Sequence, residues 1–222
     1  YAALLSMCDA YLGKILDYMD ENNMLEDTLL VVNTDQGFLL GENECWAKCI
    51  HPFYNEIAKI PLFVWDPRMK IKDQHRDALV QTIDIPATLL EFFDKELPRD
   101  MQGKSLKETI ISNKKIREAG LFGLHGSQIN VTDGDYVYMR DSVASNRPLY
   151  EYTHMPTHMR SLFSPGEMET MTIAPPFSFT KNAPVMKIES CLGFGLSDDS
   201  PKFGTRLYDL KADPYQQCPI SN

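Results

Sequence analysis

Long apolar runs are missing from these 222 residues. None approaches the roughly 18 consecutive residues that a membrane-spanning helix needs, so no membrane association is expected. Basic clusters are missing too. Twenty-two Lys and Arg stand against 31 Asp and Glu, a net charge of −9, and no cationic stripe forms. Nucleic-acid binding depends on neutralising many phosphates, so no such partner is expected. A single well-placed cation in a cleft still leaves room for a small anionic substrate. A basic, apolar, small-residue leader is not visible, and the sequence opens on Tyr1 rather than Met. A mature product, a domain and a fragment all remain open.

Cysteine is scarce and odd in number: Cys8, Cys45, Cys49, Cys191 and Cys218. That scatter does not read as a disulfide framework. Cys45, Cys49 and His51 lie close together, but structural zinc wants four ligands and no second Cys or His pair follows, so ordinary thiols are expected. The unpaired count leans toward a reducing, cytoplasmic interior, although a shortened chain can lose a disulfide partner. The compartment stays open. Asn130-Val131-Thr132 spells a glycosylation sequon, which matters only in a secreted protein, and chance explains it as well. A Gly-x-Ser-x-Gly elbow and a phosphate-cradling Gly-rich loop are both absent.

What is present is a hydrophobic fraction of 43%, ordinary for a globular chain, and clear periodicity. Leu4, Met7, Cys8, Tyr11, Leu12, Ile15, Leu16 and Met19 fall at helical spacing, with Asn22-Asn23 as the stop. Leu29 to Val32 is a continuous apolar run, the pattern of a strand buried on both faces of a parallel sheet. Ile60 to Trp65 repeats it and ends at Asp66-Pro67. Helices are expected over Asp73 to Val80 and from near Pro86, with Asp84 as cap. This succession is α/β grammar.

After about Gly103 the pattern changes. Gln128 to Val131 and Tyr136 to Arg140 flank Thr132-Asp133-Gly134-Asp135, a hairpin signal. Recurrent prolines from Pro148 to Pro184 disfavour long helices. Leu207 to Leu210 adds a late strand. The expected layout is an α/β part over 1–103 with mostly parallel buried strands. A small α+β subdomain with an antiparallel hairpin follows over 104–222.

Ligands of open α/β sheets bind beyond the carboxyl ends of strands. Asp35, Gln36 and Gly37 stand where the first strand runs out. A carboxylate beside an amide oxygen offers the hard donors that Ca²⁺ or Mg²⁺ requires, and glycine permits a sharp turn after them. An ordinary Asp-x-Gly turn fits the same residues. Lys48, at the end of a polar and aromatic loop, could neutralise a tetrahedral anion or simply be a solvated surface lysine. His154 and His158 are four apart, but Pro156 between them argues against one helix carrying a metal pair. Lining a substrate pocket or structural hydrogen bonding suits them better. His125 has the same standing, and His75 reads as a surface residue.

Blocks of the sequence, taken in order, resemble the sulfatases of the alkaline-phosphatase-like superfamily. They run from Tyr1-Ala-Ala-Leu…Asp9…Gly13-Lys-Ile-Leu through Asp27-Thr28-Leu-Leu-Val-Val-Asn-Thr-Asp35-Gln36-Gly37 to Leu40-Gly41-Glu42…Trp46…Lys48. Tyr54-Asn55-Glu56-Ile57-Ala58…Ile60-Pro61-Leu62-Phe63-Val64…Pro67, Asp84-Ile85-Pro86-Ala87-Thr88-Leu89-Leu90 and Leu207-Tyr208-Asp209-Leu210…Asp213-Pro214 continue the series.

The resemblance implies an alkaline-phosphatase-like sandwich fragment and hydrolysis of a sulfate ester, on a sugar or an aryl group. It also implies a divalent cation, usually Ca²⁺, held in part by Asp35 and Gln36, with Lys48 on the sulfate. His154 and His158 fall in the subdomain that helps shape the substrate cleft. The family's nucleophile is a formylglycine made within a Cys/Ser-x-Pro-x-Arg motif. No such motif occurs here, and the family's first carboxylate pair is also missing. Asn43 stands where the family often has His. The expectation is therefore a C-terminal portion, inactive alone. A phosphodiesterase or phosphonate hydrolase of the same superfamily, or a non-catalytic domain keeping the fold, are the alternatives. Oligomeric state is not specified by the sequence.

Overall fold

A computed structural model describes residues 1–48, 52–142, 147–158, 160–190 and 203–220. Helix α1, Ala2–Glu21, follows the predicted apolar spacing and stops at Asn22, whose Nδ2 donates to the Tyr18 carbonyl at 2.8 Å. Asn23 then turns into the left-handed region at φ 55°, which asparagine tolerates better than most residues. Only Met19 of α1 is buried; Leu4, Leu5, Tyr11 and Ile15 are 54–63% exposed.

Strand β1, Leu30–Asn33, pairs with β4, Leu62–Trp65, and the pairing is antiparallel, with Leu30 opposite Trp65 and Asn33 opposite Leu62. The expectation of parallel strands buried on both faces is corrected here. Between Asn33 and Leu62 the chain makes a hairpin of β2, Leu39–Leu40, and β3, Trp46–Ala47, then a single helical turn, α2, Asn55–Ala58. It thus re-enters the sheet at the end where β1 left, whereas a parallel neighbour needs a crossover back to the start. β1 is half-buried, with Asn33 exposed. Every strand pairing among the described residues is antiparallel.

The helix expected over Asp73 to Val80 does not form. This stretch is irregular, and its backbone is satisfied elsewhere: the N–H groups of Asp77 and Ala78 donate to Asn113 Oδ1 at 2.9 and 3.0 Å. The Arg76 guanidinium ties the same stretch to the carbonyls of Thr109 and Ile110. Helix α3, Asp84–Phe92, does form, but Asp84 is its first residue rather than its cap. Fully buried, Asp84 accepts from the N–H groups of Gln81 and Lys104 and pairs with Arg117. Helix α4, Lys107–Ser112, follows after an irregular stretch over 93–106.

Strands β5, Gly120–Gly123, β6, Ile129–Thr132, β7, Tyr136–Arg140, and β11, Arg206–Asp209, form a sheet in the order β11-β7-β6-β5. The Asp-Gly hairpin joins β6 to β7 as expected. Asp133 Oδ1 accepts from the N–H groups of Asp135 and Tyr136, and Gly134 takes φ 99°. Along β7 burial alternates, with Val137 and Met139 inward. Asn130, the sequon residue, is fully buried on β6, which removes it as a glycosylation acceptor in the folded chain.

A three-stranded sheet holds β8, Tyr150–Thr153, β10, Val185–Glu189, and β9, Thr172–Ala174, in the order β8-β10-β9, with the short α5, Pro165–Glu169, between β8 and β9 in the sequence. The core joins both halves of the sequence. Leu39, Tyr54 and Ile57 pack with Val137, Met139 and Tyr208. Burying such side chains contributes about 1.5–3 kcal/mol each relative to leaving them exposed.

Candidate functional site

Strand β1 delivers its C-terminal end to an exposed bend at Asp35, and the half-buried Gln36 follows. Two contacts fix this exit. The Gly37 N–H donates to the Ile57 carbonyl at 2.9 Å and the Phe38 N–H to the Glu56 carbonyl at 3.0 Å. The fit is so close that a Cβ at Gly37 would meet Glu56 O at 1.7 Å. Thr34 Oγ1 donates to the Gln36 carbonyl at 2.6 Å, curling the backbone between β1 and the clamp. Leu39, fully buried two residues on, anchors the far side in the core.

Beyond the clamp the loop is built of unusual backbone. Gly41 takes φ 123°, and Asn43, Glu44 and Ala47 all have positive φ. The Glu42 carboxylate accepts from the Leu40 N–H, which holds its pKa below the ordinary carboxylate value. Asn43 Nδ2 reaches the Tyr215 carbonyl at 3.4 Å, linking this loop to the C-terminal segment. Lys48 follows β3 and is exposed. Cys49 and His51, from the soft-metal reading, lie outside the described residues; Cys45 is a free thiol.

Among the described residues, the side chains of Asp35, Gln36 and Lys48 have no hydrogen-bond or ion-pair partner. The structure therefore offers two hard oxygen donors and a free ammonium along one short loop system. As a cation site the pair fits in chemistry but falls short in number. Ca²⁺ takes six to eight oxygens, and no group of three or more His, Cys, Asp or Glu converges among the described residues. Asp35 and Gln36 could supply part of a metal shell.

The histidines sit elsewhere in the chain. His154 Nε2 lies 3.2 Å from the Pro184 carbonyl, and His158 Nε2 lies 2.6 Å from Glu167 Oε1, with its ring 4.7 Å from that of Phe163. No helix joins them, in keeping with Pro156. Glu167 also closes the capping box of α5, and hydrogen bonds from Ser164 and then His158 hold its carboxyl below the ordinary range. Neither histidine contacts Asp35, Gln36 or Lys48 in the structure. His125 lies in the β5–β6 turn, and the side chain of His75 is 91% exposed.

Sequence reasoning gave Tyr54-Asn55-Glu56 no role of its own. In the structure it is the strut under the candidate site, and the Asn55 N–H is held by Gln216 Oε1 at 2.6 Å. The one local signal was the Gly37 that the strut requires.

Comparison with known proteins gives these features a setting. Residues 1–95 match the family model described as Sulfatase. An N-acetylglucosamine-6-O-sulfatase of Bacteroides thetaiotaomicron is 31% identical over 115 residues, 52% of this chain and 20% of that protein. Among solved structures, one in complex with its substrate D-glucosamine-2-N,6-O-disulfate superposes with a TM-score of 0.62 at 20% identity. It covers 96% of this chain and 33% of that one. A phosphonate monoester hydrolase from Silicibacter pomeroyi gives 0.55 at 21%, over 60% of this chain and 30% of its own. The chain thus spans about a fifth to a third of the length of the proteins it matches.

Proposed function

Since residues 1–95 match the sulfatase family model, we propose that these 222 residues are the C-terminal portion of a sulfuric ester hydrolase and supply half of its metal and sulfate site. One observation carries this reading. Within the family-matched segment, the Asp35–Gln36 oxygen pair is held beyond the end of β1 by the Gly37 clamp, with both side chains free. Unspent hard oxygen donors at a fixed strand end are what a divalent cation requires.

Sulfatases generally use a divalent metal. Asp35 and Gln36 would hold part of its shell, and the ion, when bound, would supply Lewis-acid polarisation and orientation of the sulfate oxygens. Lys48 would bind the sulfate and neutralise charge that builds on its oxygens as the ester bond breaks. His154 and His158 would border the sugar or aryl group. These 222 residues contain no Cys/Ser-x-Pro-x-Arg motif, so the nucleophile comes from outside them. The bare apolar surface of α1 supports a partial domain, because Leu4, Leu5, Tyr11 and Ile15 would be covered in a complete one.

The favoured substrate is a sulfated sugar, since one relative is an N-acetylglucosamine-6-O-sulfatase and one similar structure holds a disulfated glucosamine. Phosphonate or phosphodiester hydrolysis is the second reading, favoured by the fold shared with the phosphonate monoester hydrolase. Parallel assays of sulfate and phosphate release by the protein of the whole gene separate the two. Sulfate release in excess supports the proposal, and phosphate release in excess overturns it. Sulfate release by chain 1–222 alone would refute the claim that it is a portion.

A further inference from the structure

The β8-β10-β9 sheet carries chemistry that the Asp35–Lys48 site does not use. Strand pairing places Tyr152 opposite Lys187, and Lys187 opposite Thr172, so the three stand on one face. Lys187 Nζ lies 3.7 Å from the centroid of the Tyr150 ring, two residues along β8 on the same face. Beyond β9 the chain runs through Pro175-Pro176, and Phe177 meets Tyr152 edge-on, 5.0 Å between centroids at 87°. Phe179 stacks on Phe177 at 5.2 Å and 4°. Tyr152, Thr172, Ile173, Pro176, Phe177 and Lys187 line a groove of about 390 Å³.

Two independent features mark this groove as a binding surface. First, Tyr152, Phe177 and Phe179 form one continuous ring-to-ring platform that stands open beside the groove, at 46%, 36% and 56% exposure. Second, Lys187 has no carboxylate partner among the described residues, in a chain with nine more acidic than basic side chains. An ammonium held over an aromatic face is partly desolvated while keeping its charge. The complementary ligand is a small ring with an apolar face and an anionic substituent. The volume lies at the lower end of the roughly 300–1,000 Å³ of small-molecule sites.

We propose that this groove is a carbohydrate subsite that takes a sulfated pyranose of an oligosaccharide. The C–H face of the sugar lies on Tyr152 and Phe177, where the negative π-surface meets the weakly positive C–H edges. Its sulfate lies on Lys187. The choice of sulfate as the anion rests on the sulfatase reading above; the platform and the cation do not.

The test is a methyl NMR titration of chain 1–222, following Thr172 and Ile173 in the groove and Leu39 in the core. The probes are a heparin-derived tetrasaccharide bearing N,6-O-disulfated glucosamine and the same tetrasaccharide desulfated and N-acetylated. The sulfated probe should shift Thr172 and Ile173 saturably, leave Leu39 unmoved, and bind about threefold or more tighter than the desulfated one, the scale of an exposed charge contact. Lys187→Gln should erase that difference. Tyr152→Ala should weaken both probes about tenfold, and Lys48→Ala should change neither. Absence of saturable shifts, equal affinity for both probes, or indifference to Lys187→Gln each overturns the proposal. Because Lys187→Gln removes the charge while keeping most of the side chain, the test survives if Tyr152→Ala fails to fold. The titration involves no hydrolysis, so the two readings fail separately. A silent groove in a protein whose whole gene product releases sulfate removes only the subsite. A groove that binds, in a protein that releases no sulfate, removes only the sulfatase assignment.

Discussion

Gly37 sits against Glu56 so closely that a Cβ on the glycine would lie 1.7 Å from the glutamate's carbonyl oxygen. The offending atom is backbone, fixed at the start of the turn that leads into β4, and it also receives the Phe38 N–H. No side-chain rotation relieves the clash. Gly37→Ala should therefore push β1's exit away from α2 and cost about 1–3 kcal/mol, the usual range for overpacking. Urea unfolding measures this; an unchanged midpoint would show that the clamp yields freely.

Asp84 and Arg117 make a second strut, with Asp84 fully buried and the Arg117 side chain 11% exposed. Arg117→Met leaves Asp84 with two backbone N–H donors but no counter-charge. Breaking a buried pair on one side costs about 3–5 kcal/mol. Thermal unfolding should show a marked loss, and Asp84→Asn in the same background should recover part of it.

Acid sensitivity should centre on Arg68, which pairs with Asp66 at 2.7 Å and Glu91 at 2.8 Å. Burial pushes the Asp66 carboxyl up, but hydrogen bonds from Arg68 outweigh it and leave the pKa below the ordinary 3.8. Arg68, and after it Lys107, hold Glu91 below the ordinary 4.5. Both folded values are depressed, so the stabilisation is complete above the ordinary values and is lost as pH falls through the depressed ones. Urea midpoints of the wild type and Arg68→Gln should differ most near neutrality and converge in acid. A gap independent of pH contradicts this.

At the alkaline end the responsible group is Tyr54. Burial, aided by the neighbouring Tyr208, pushes its hydroxyl up to about 12, against a smaller opposing pull from Arg206. A raised folded value stabilises the protein fully below the ordinary value of 10.0, and that contribution fades as pH rises toward about 12. Absorbance at 295 nm should show a late-titrating Tyr54 step in the wild type, and Tyr54→Phe should remove that step.

Much of this was legible from residue order. The α1 periodicity, the Asn22-Asn23 stop, the Asp-Gly hairpin and the strand at Leu207 are local signals, and each formed where its spacing indicated. The errors lie where distant partners decide. A helix is expected over Asp73 to Val80, but Asn113 and the Thr109–Ile110 carbonyls hold this stretch in an irregular path. Leu29 to Val32 is apolar enough for a parallel sheet, yet its strand neighbour enters from the opposite end. Asp84 sits at the start of α3 with Ser/Thr-like capping character, but its carboxylate is drawn backward to Gln81 and across to Lys104 and Arg117. At the candidate site, residue order indicated Asp35, Gln36 and Lys48 but not the Glu56 strut, because a backbone carbonyl leaves no mark in side-chain chemistry.

The central claim is that Lys48 holds the sulfate while Asp35 helps hold the metal. It is tested most directly by kcat/KM for sulfate release from a 6-O-sulfated glucosamine by the protein of the whole gene, with Lys48→Ala and Asp35→Ala beside the wild type. Each variant should lose about 10²-fold or more, the scale for removing one charge-stabilising group. Raising the calcium concentration should restore part of the loss for Asp35→Ala and none for Lys48→Ala. Rates within a few-fold of wild type in either variant would contradict it.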